Sequence, residues 1–246
     1  MAQAEAAAFE IRLEQVGYDV AGRPVLEMLE MRASARRIGV VGRNGSGKST
    51  LARVLAGLLA PTSGRLRLCG IDPCQDRRAA LRLVGILFQN PEHQIIFPRV
   101  GEEIGFGLRQ LGLGKAEAQE RVGAMLAQFD KRHWQDAPID ALSQGQKHLV
   151  CMMAVLAMRP RLLILDEPYA GLDIPTRRQL GRYLNAAAPH LLHISHDPQD
   201  LADCGQLFWL DRGRIVAEGA AEVVLPAFVA EMDRLGELDD IADLAG

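Results

Sequence analysis

The chain has 246 residues and a formal net charge of −3, and its 48% hydrophobic content is enough for the continuous core of one large domain or two small ones. Because proteins hold nucleic acid mainly by neutralising its phosphates with basic surfaces, this charge disfavours a nucleic-acid partner, and we predict none. No stretch approaches the roughly 18 to 20 uninterrupted apolar residues of a membrane span, so we expect any membrane role to depend on a partner.

Short apolar runs rich in Val, Ile and Leu alternate with longer helical patterns, which predicts an α/β fold with a largely parallel sheet. The candidate central strands are residues 38–41, 83–88, 162–165 and 191–194. The predicted helices are residues 51–59, 115–129 and 145–158, and the mostly helical insertion is about residues 90–138. Two further apolar runs flank Asp211-Arg212-Gly213-Arg214 and predict a β-hairpin over residues 206–217.

Residues 227–246 differ from the rest of the chain. Their apolar side chains recur at helical spacing among acidic residues, which predicts an amphipathic helix. The apolar positions are Phe228, Met232, Leu235 and Leu238. We interpret this acidic tail as a packing or dimer-contact helix, and a specific regulatory role is the alternative.

A glycine-rich motif follows the strand at residues 38–41 and leads into the helix at residues 51–59. It fits the pattern GxxxxGK[ST], in which glycines turn successive backbone N–H groups toward phosphates and the helix N-terminus adds partial positive charge. Lys48 is predicted to reach the β- and γ-phosphates of a nucleotide, and Ser49 to bind Mg²⁺. A plain strand-to-helix turn is the alternative. The predicted nucleotide-binding residues are Gly42, Asn44, Gly45, Ser46, Gly47, Lys48, Ser49 and Thr50.

Two carboxylates follow the apolar strand at residues 162–165. Asp166 and Glu167 emerge at the carboxyl end of a buried strand, which is where open α/β sheets bind ligands. Asp166 is predicted to hold Mg²⁺, because a hard cation prefers carboxylate oxygen, and Glu167 to polarise the attacking water. A strand that simply ends in a turn is the alternative.

The motif Leu142-Ser143-Gln144-Gly145-Gln146 precedes the helix at residues 145–158 and lies shortly before the acidic strand. In these residues the chain resembles the ABC ATPases, whose signature motif precedes their acidic Walker B motif in the same order. Three further segments resemble the Q-loop, D-loop and H-loop of that family. They are Gln89, Gly171-Leu172-Asp173 and Ser195-His196-Asp197.

The resemblance implies a P-loop NTPase fold of the ABC ATPase type. In this fold a mostly parallel central sheet is joined by an antiparallel β portion and by a helical signature subdomain, here at about residues 90–160. It also implies an ATPase domain over residues 1–226, followed by the acidic tail at residues 227–246.

The resemblance further implies that ATP binds between two protomers, against the phosphate loop of one and against Ser143, Gly145 and Gln146 of the other. Ser143 is a good helix N-cap, and the N-terminus of the helix it caps favours a γ-phosphate. Because one chain carries all the ATP-handling motifs, we expect a homodimer rather than a heterodimer. The implied catalytic residues are Glu167, His196 and Gln89, and the implied Mg²⁺ ligands are Ser49, Gln89 and Asp166.

Two positions depart from the family pattern. Val20 stands where the family usually has an aromatic residue that stacks on adenine, and Tyr18 is the candidate substitute. Gln144 stands where the signature usually has a small, flexible residue, and because Gly145 is retained we expect altered tuning rather than loss of activity.

Residues 87–97 and 100–107 look like the ATPases of prokaryotic energy-coupling-factor importers. This resemblance implies two membrane partners, a transmembrane coupling protein and a substrate-capture protein, and a peripheral location on the cytoplasmic face of the membrane. The cargo implied is a vitamin, with biotin favoured, and cobalt or nickel ions are the alternative. Four apolar residues after Gln89 are predicted either to grip the coupling protein or to be core, namely Ile95, Ile96, Phe97 and Val100.

Two other classes of protein are weighed against transport. A soluble ABC-type ATPase of DNA repair or translation usually carries a long coiled-coil insertion or two ATPase cassettes, and neither is present in this sequence. A small kinase or GTPase shares the phosphate loop but has no signature helix, so the motif at residues 142–146 argues against it.

Overall fold

Two β-sheets form the framework of the protein, whose computed structural model describes residues 9–187 and 190–237. The strands are β1 (Ile11–Val20), β2 (Arg23–Ala33), β3 (Arg37–Val41), β4 (Ser63–Leu68), β5 (Val84–Leu87), β6 (Leu162–Asp166), β7 (His190–Ser195), β8 (Gln206–Asp211) and β9 (Arg214–Gly219). The helices are α1 (Lys48–Leu55), α2 (Arg77–Leu83), α3 (Val100–Gln110), α4 (Lys115–Gln128), α5 (Gln144–Ala157), α6 (Ile174–Ala187) and α7 (Ala221–Gly236).

The larger sheet has the strand order β5-β6-β7-β3-β8-β9, and its first five strands are mutually parallel. All four predicted central strands lie in it, and the predicted hairpin is the antiparallel pair β8 and β9. Every residue of β6 is buried, as expected for a central parallel strand covered on both faces. The predicted strand at residues 83–88 is shorter than expected, because Leu83 ends helix α2. The α/β fold class is confirmed.

The smaller sheet is antiparallel, with the order β2-β1-β4. Apolar residues of β1 and β2 point into one core with residues of the central sheet and of α1. Tyr18 packs against this core, whereas Val20 at the end of β1 is 52% exposed. The proposed substitute for the adenine-stacking residue is therefore a half-buried side chain that contributes to the core.

The predicted helical subdomain at about residues 90–160 contains α3, α4 and α5, which enclose a second core with the other face of the central sheet. The four apolar residues after Gln89 divide between the two predicted roles. Val100 is fully buried at the start of α3, whereas Ile96 is 67% exposed.

Within the described residues, none of the helices combines the length and the apolar character that crossing a bilayer requires.

The acidic tail belongs to a longer helix than predicted. Helix α7 begins at Ala221, and both Pro226 and the predicted domain division after residue 226 lie inside it. Phe228 is buried against Val41 and Leu201 in a third core cluster, and its ring meets Trp209 edge-on. The helix is therefore anchored on the sheet by its first turns. Leu238 and the acidic residues after it lie outside the described residues.

A histidine is buried in the middle of the central sheet. His193 on β7 is 8% exposed, its Nε2 has no hydrogen-bond partner, and its ring lies edge-on to Tyr169 at a centroid distance of 5.5 Å. Burial, with a smaller effect of the nearby cations Arg177 and Arg37, lowers the pKa of His193 to about 4.

This histidine predicts a loss of stability in mild acid. Because its pKa is lower in the folded chain than in the unfolded chain, its contribution is complete above the unfolded pKa of about 6.5 and falls as the pH drops toward the folded value. Urea unfolding at about pH 7.5 and about pH 5 should show that the native chain loses about 2 kcal/mol more than a His193→Phe variant. Equal losses in the two proteins would contradict the assignment.

Candidate active site

The glycine-rich motif forms the turn between β3 and α1. Gly47 is the N-cap of α1 and has a φ of 101°, a conformation that L-residues with a side chain rarely adopt. Gly42 lies against the neighbouring strand, where a Cβ would sit 2.2 Å from the carbonyl oxygen of Leu210. The two glycines let the loop pass closely over the end of the sheet and turn directly into the N-terminus of α1.

Lys48 is folded back over this loop. Its ammonium donates to the carbonyl oxygens of Gly42, at 2.7 Å, and Arg43, at 2.9 Å, and it lies 3.8 Å from Oε1 of Glu167. Burial lowers the pKa of Lys48, and the carboxylates of Glu167 and Asp166 act in the opposite direction. A buried cation held by two carbonyls and a neighbouring carboxylate is well placed to exchange these partners for phosphate oxygens.

Ser49 and Asp166 meet although 117 positions separate them in the chain. The hydroxyl of Ser49 donates to Oδ1 of Asp166 at 3.0 Å, and burial raises the pKa of Asp166 while this hydrogen bond lowers it. Within the described residues, no group of three or more His, Cys, Asp or Glu side chains could hold a metal by itself. One hydroxyl and one carboxylate suit Mg²⁺ bound to nucleotide phosphates, since that ion commonly takes only one or two protein ligands.

Glu167 follows Asp166 and turns sharply away from the strand. Its φ is 50°, an uncommon value for a residue with a side chain, and its N–H donates to the carbonyl of Ile194 on β7. The backbone N–H of His196 donates to Oε1 of Glu167 at 2.9 Å, and Nδ1 of the same histidine is also 2.9 Å from that oxygen. The carboxylate is therefore tied to the end of the neighbouring strand.

One cleft of 370 Å³ gathers most of the predicted residues. All three predicted catalytic residues line it, together with the phosphate loop and Val25, which the sequence analysis did not select. The lining residues are Val25, Asn44, Gly45, Gly47, Lys48, Ser49, Thr50, Gln89, Glu167 and His196. Of the other predicted residues, Asp166 joins the cleft through Ser49, whereas Ser46 is buried with an unpartnered hydroxyl.

The signature residues line a different cleft, of 290 Å³. There Ser143 caps α5, and the cap is reciprocal because the Gln146 side chain accepts from the Ser143 N–H at 2.8 Å. The N–H of Gln146, which was predicted to face a phosphate, lies 3.4 Å from the Ser143 hydroxyl. Since the two clefts share no lining residue, a single chain does not bring the signature to the phosphate loop.

Three residues that the sequence analysis did not select as site residues contact this region. Ser195 lies 3.3 Å from Glu167, and it is linked through Asp200 to Arg177 on helix α6. Ser195 directly precedes His196 in the H-loop motif, and this adjacency could have identified it as a site residue. Arg177 lies on helix α6 outside the recognised motifs, and no sequence pattern marked it.

Comparison with known proteins agrees with the motifs. A family model described as "ABC transporter" matches residues 29–170. The chain is 45% identical over 214 residues to the biotin transport ATP-binding protein BioM of Rhodobacter capsulatus, an alignment that covers 87% of this chain and 92% of the relative. It is 38% identical over 215 residues to the protein of the same name from Rhizobium etli, covering 87% and 96%.

A solved structure supports the same relationship. It is cbiO1 from Clostridium perfringens, described as part of the ABC transporter complex cbiONQ. The TM-score is 0.74 at 28% identity, and the match covers 94% of this chain and 98% of that one.

Proposed function

The chain belongs to the ABC transporter ATP-binding family, and from that premise we propose that two copies of it close on two ATP molecules and power an energy-coupling-factor importer. As a member of this family it is an ATP-binding, ATP-hydrolysing subunit of an ABC transporter. The observation that supports the proposed dimer is the division of the predicted site between two clefts. A second copy, placed head to tail, supplies the missing half of each site.

The phosphate loop binds the nucleotide in this proposal. Lys48 exchanges the carbonyls of Gly42 and Arg43 for the β- and γ-phosphates, while loop N–H groups and the N-terminus of α1 hold the remaining oxygens. The residues that would hold Mg²⁺ are Ser49, Asp166 and Gln89. When bound there, Mg²⁺ would supply positive charge that offsets the charge of the phosphate oxygens.

Glu167 and His196 orient the attacking water. Glu167 accepts a proton from the water, and its position is set by the two contacts to His196. If Nδ1 of His196 donates to Glu167, then Nε2 donates to a phosphate oxygen only when the ring carries a second proton. The imidazole of His196 therefore links the γ-phosphate to Glu167, and this link is broken when the phosphate departs.

The segment after Gln89 transmits nucleotide binding to the membrane partner. Glu92 forms an ion pair of 2.9 Å with Lys147 in the first turn of the signature helix. The buried carboxylate of Glu103 accepts from the backbone N–H groups of Ile96, at 2.9 Å, and Phe97, at 2.8 Å. These contacts support a loop that moves with α5 and presents the exposed Ile96 to a transmembrane coupling protein.

Biotin is the proposed cargo, and the support is the two relatives named biotin transport ATP-binding protein. The proposed complex contains this chain as a homodimer, a transmembrane coupling protein and a substrate-capture protein. In it the chain binds the cytoplasmic face of the membrane through its partners. The cargo contacts the membrane proteins, so the ATPase residues themselves do not select it.

Transport by the purified complex tests the proposed cargo. The complex is isolated from native membranes through a tag on this chain and reconstituted in vesicles with ATP supplied on the side of the ATPase. We expect uptake of labelled biotin that requires ATP and is absent in the Glu167→Gln complex. Uptake of cobalt or nickel instead of biotin would contradict the proposed cargo, and isolation of the tagged chain from membranes with no membrane subunit bound to it would contradict the importer.

A further inference from the structure

The hydroxyl of Ser195 lies between two carboxylates. Its Oγ is 3.3 Å from Oε2 of Glu167 and 3.1 Å from Oδ2 of Asp200, and it accepts from the backbone N–H of Asp197 at 3.0 Å. A serine hydroxyl has one proton, so it can donate to only one of the two carboxylates at a time. The other partners of each carboxylate determine which of the two accepts the hydrogen bond from Ser195.

Asp200 has such a partner in Arg177. The guanidinium of Arg177 contacts the carboxylate of Asp200, whose side chain is 8% exposed, and lies 3.2 Å from Oδ2 of Asp197. The same guanidinium stacks over the ring of Tyr169, 5.4 Å from its centroid. Arg177 therefore supplies the positive charge that stabilises the buried carboxylate of Asp200. With this partner in place, Asp200 depends less on a hydrogen bond from Ser195.

Arg177 belongs to the first turn of helix α6, which directly follows Gly171-Leu172-Asp173. The backbone N–H of Arg177 donates to the carbonyl of Asp173, and Asp173 also caps the helix through the N–H of Thr176. These hydrogen bonds make the start of α6 and the preceding loop move together. A displacement of that loop moves the guanidinium relative to Asp200.

We propose that Arg177, Asp200 and Ser195 are positioning residues that connect helix α6 to the catalytic carboxylate of Glu167. When Arg177 pairs with Asp200, Ser195 donates to Glu167 and holds it beside His196. When α6 moves away, Ser195 donates its hydrogen bond to Asp200 instead, and Glu167 loses one of its supports. The proposal rests on the proposed role of Glu167, and it makes hydrolysis depend on the loop that precedes α6.

The test is steady-state ATP hydrolysis by the full chain carrying single and paired substitutions. Ser195→Ala is expected to lower kcat about tenfold, the effect of one lost hydrogen bond to a charged group, with KM for ATP within about twofold of the native value. Ser195→Thr keeps the hydroxyl and should restore kcat to within about threefold. Arg177→Met removes the charge but keeps the contact with Tyr169, and should lower kcat to a similar extent.

The pairing of the substitutions distinguishes a connected set from independent structural damage. If the residues act in series, Arg177→Met combined with Ser195→Ala should be no slower than Ser195→Ala alone. Arg182→Ala is the matched control, because Arg182 is an exposed arginine on the same helix and its loss should leave kcat unchanged.

Three results would overturn the proposal. They are native kcat in Ser195→Ala, equal losses in Ser195→Ala and Ser195→Thr, and multiplied losses in the double variant. Glu167→Gln is measured beside them to separate this inference from the proposed function. An active Glu167→Gln chain would remove the role of Glu167 itself, whereas an inactive one with a fully active Ser195→Ala would remove only the positioning set.

Discussion

Replacing Glu167 with glutamine is expected to lower ATP hydrolysis by at least about a hundredfold, the usual contribution of a positioned general base. The amide retains the shape of the side chain and can still contact His196, but it cannot accept the proton of the attacking water. ATP binding should survive, because the phosphate loop is untouched. The unhydrolysed nucleotide should then hold two chains together, so the variant accumulates as a dimer in ATP and Mg²⁺.

Hydrolysis rates and the dimer fraction, measured across protein concentration, check this expectation together. The native chain should show activity that rises faster than linearly with concentration, since each site needs two copies. Activity proportional to concentration and indifferent to Glu167→Gln would contradict both the base and the shared site.

Mixing two inactive variants is expected to restore activity when their substitutions lie in different clefts. Lys48→Ala inactivates the phosphate cleft, and Ser143→Asp places a negative charge where the partner's γ-phosphate is proposed to bind. In a mixed dimer one site is doubly damaged and the other is intact. An equal mixture should therefore recover about one quarter of native activity, because half of the dimers are mixed and each has one working site.

The structure provides a matched control for each half of this experiment. Lys48→Ala mixed with Glu167→Gln should recover nothing, because both substitutions lie in the same cleft. Ser143→Asn keeps an N-cap of similar shape without the charge, so it should lose much less activity than Ser143→Asp. Recovery in the same-cleft mixture, or none in the other, would be inconsistent with a site formed by two chains.

The elements that were predicted well are those whose causes are local. The strand at residues 162–165 is a continuous apolar run, and its burial on both faces follows from that composition. The turn at residues 42–50 needs glycines at fixed places, and Gly47 has the positive φ that explains its identity. Helix α5 begins where Ser143 supplies the cap, within one residue of the predicted start.

The errors arose where packing outweighed a local preference. The predicted tail begins at residue 227, directly after Pro226, and a proline in a helix interior removes a hydrogen bond and crowds the preceding turn. In the structure α7 runs through Pro226, and the burial of Val224 and Phe228 on either side stabilises the continuous helix. Leu83 is predicted in a strand but ends helix α2, since an apolar residue beside a strand gives no local sign of the helix it ends.

The amino-acid sequence alone predicts the chemistry of the proposed site, namely a phosphate loop, a pair of carboxylates, a glutamine, a histidine and a capped signature helix in a fixed order. These motifs are readable because each depends on a few adjacent residues and on backbone geometry that only certain side chains allow. Which distant segments come into contact is visible only in the folded chain. The fold places Ser49 against Asp166 and Ser195 between Glu167 and Asp200, and it separates the signature from the phosphate loop. Such contacts depend on how helices and strands pack, and no local pattern encodes the distance between residues of different helices, strands and loops.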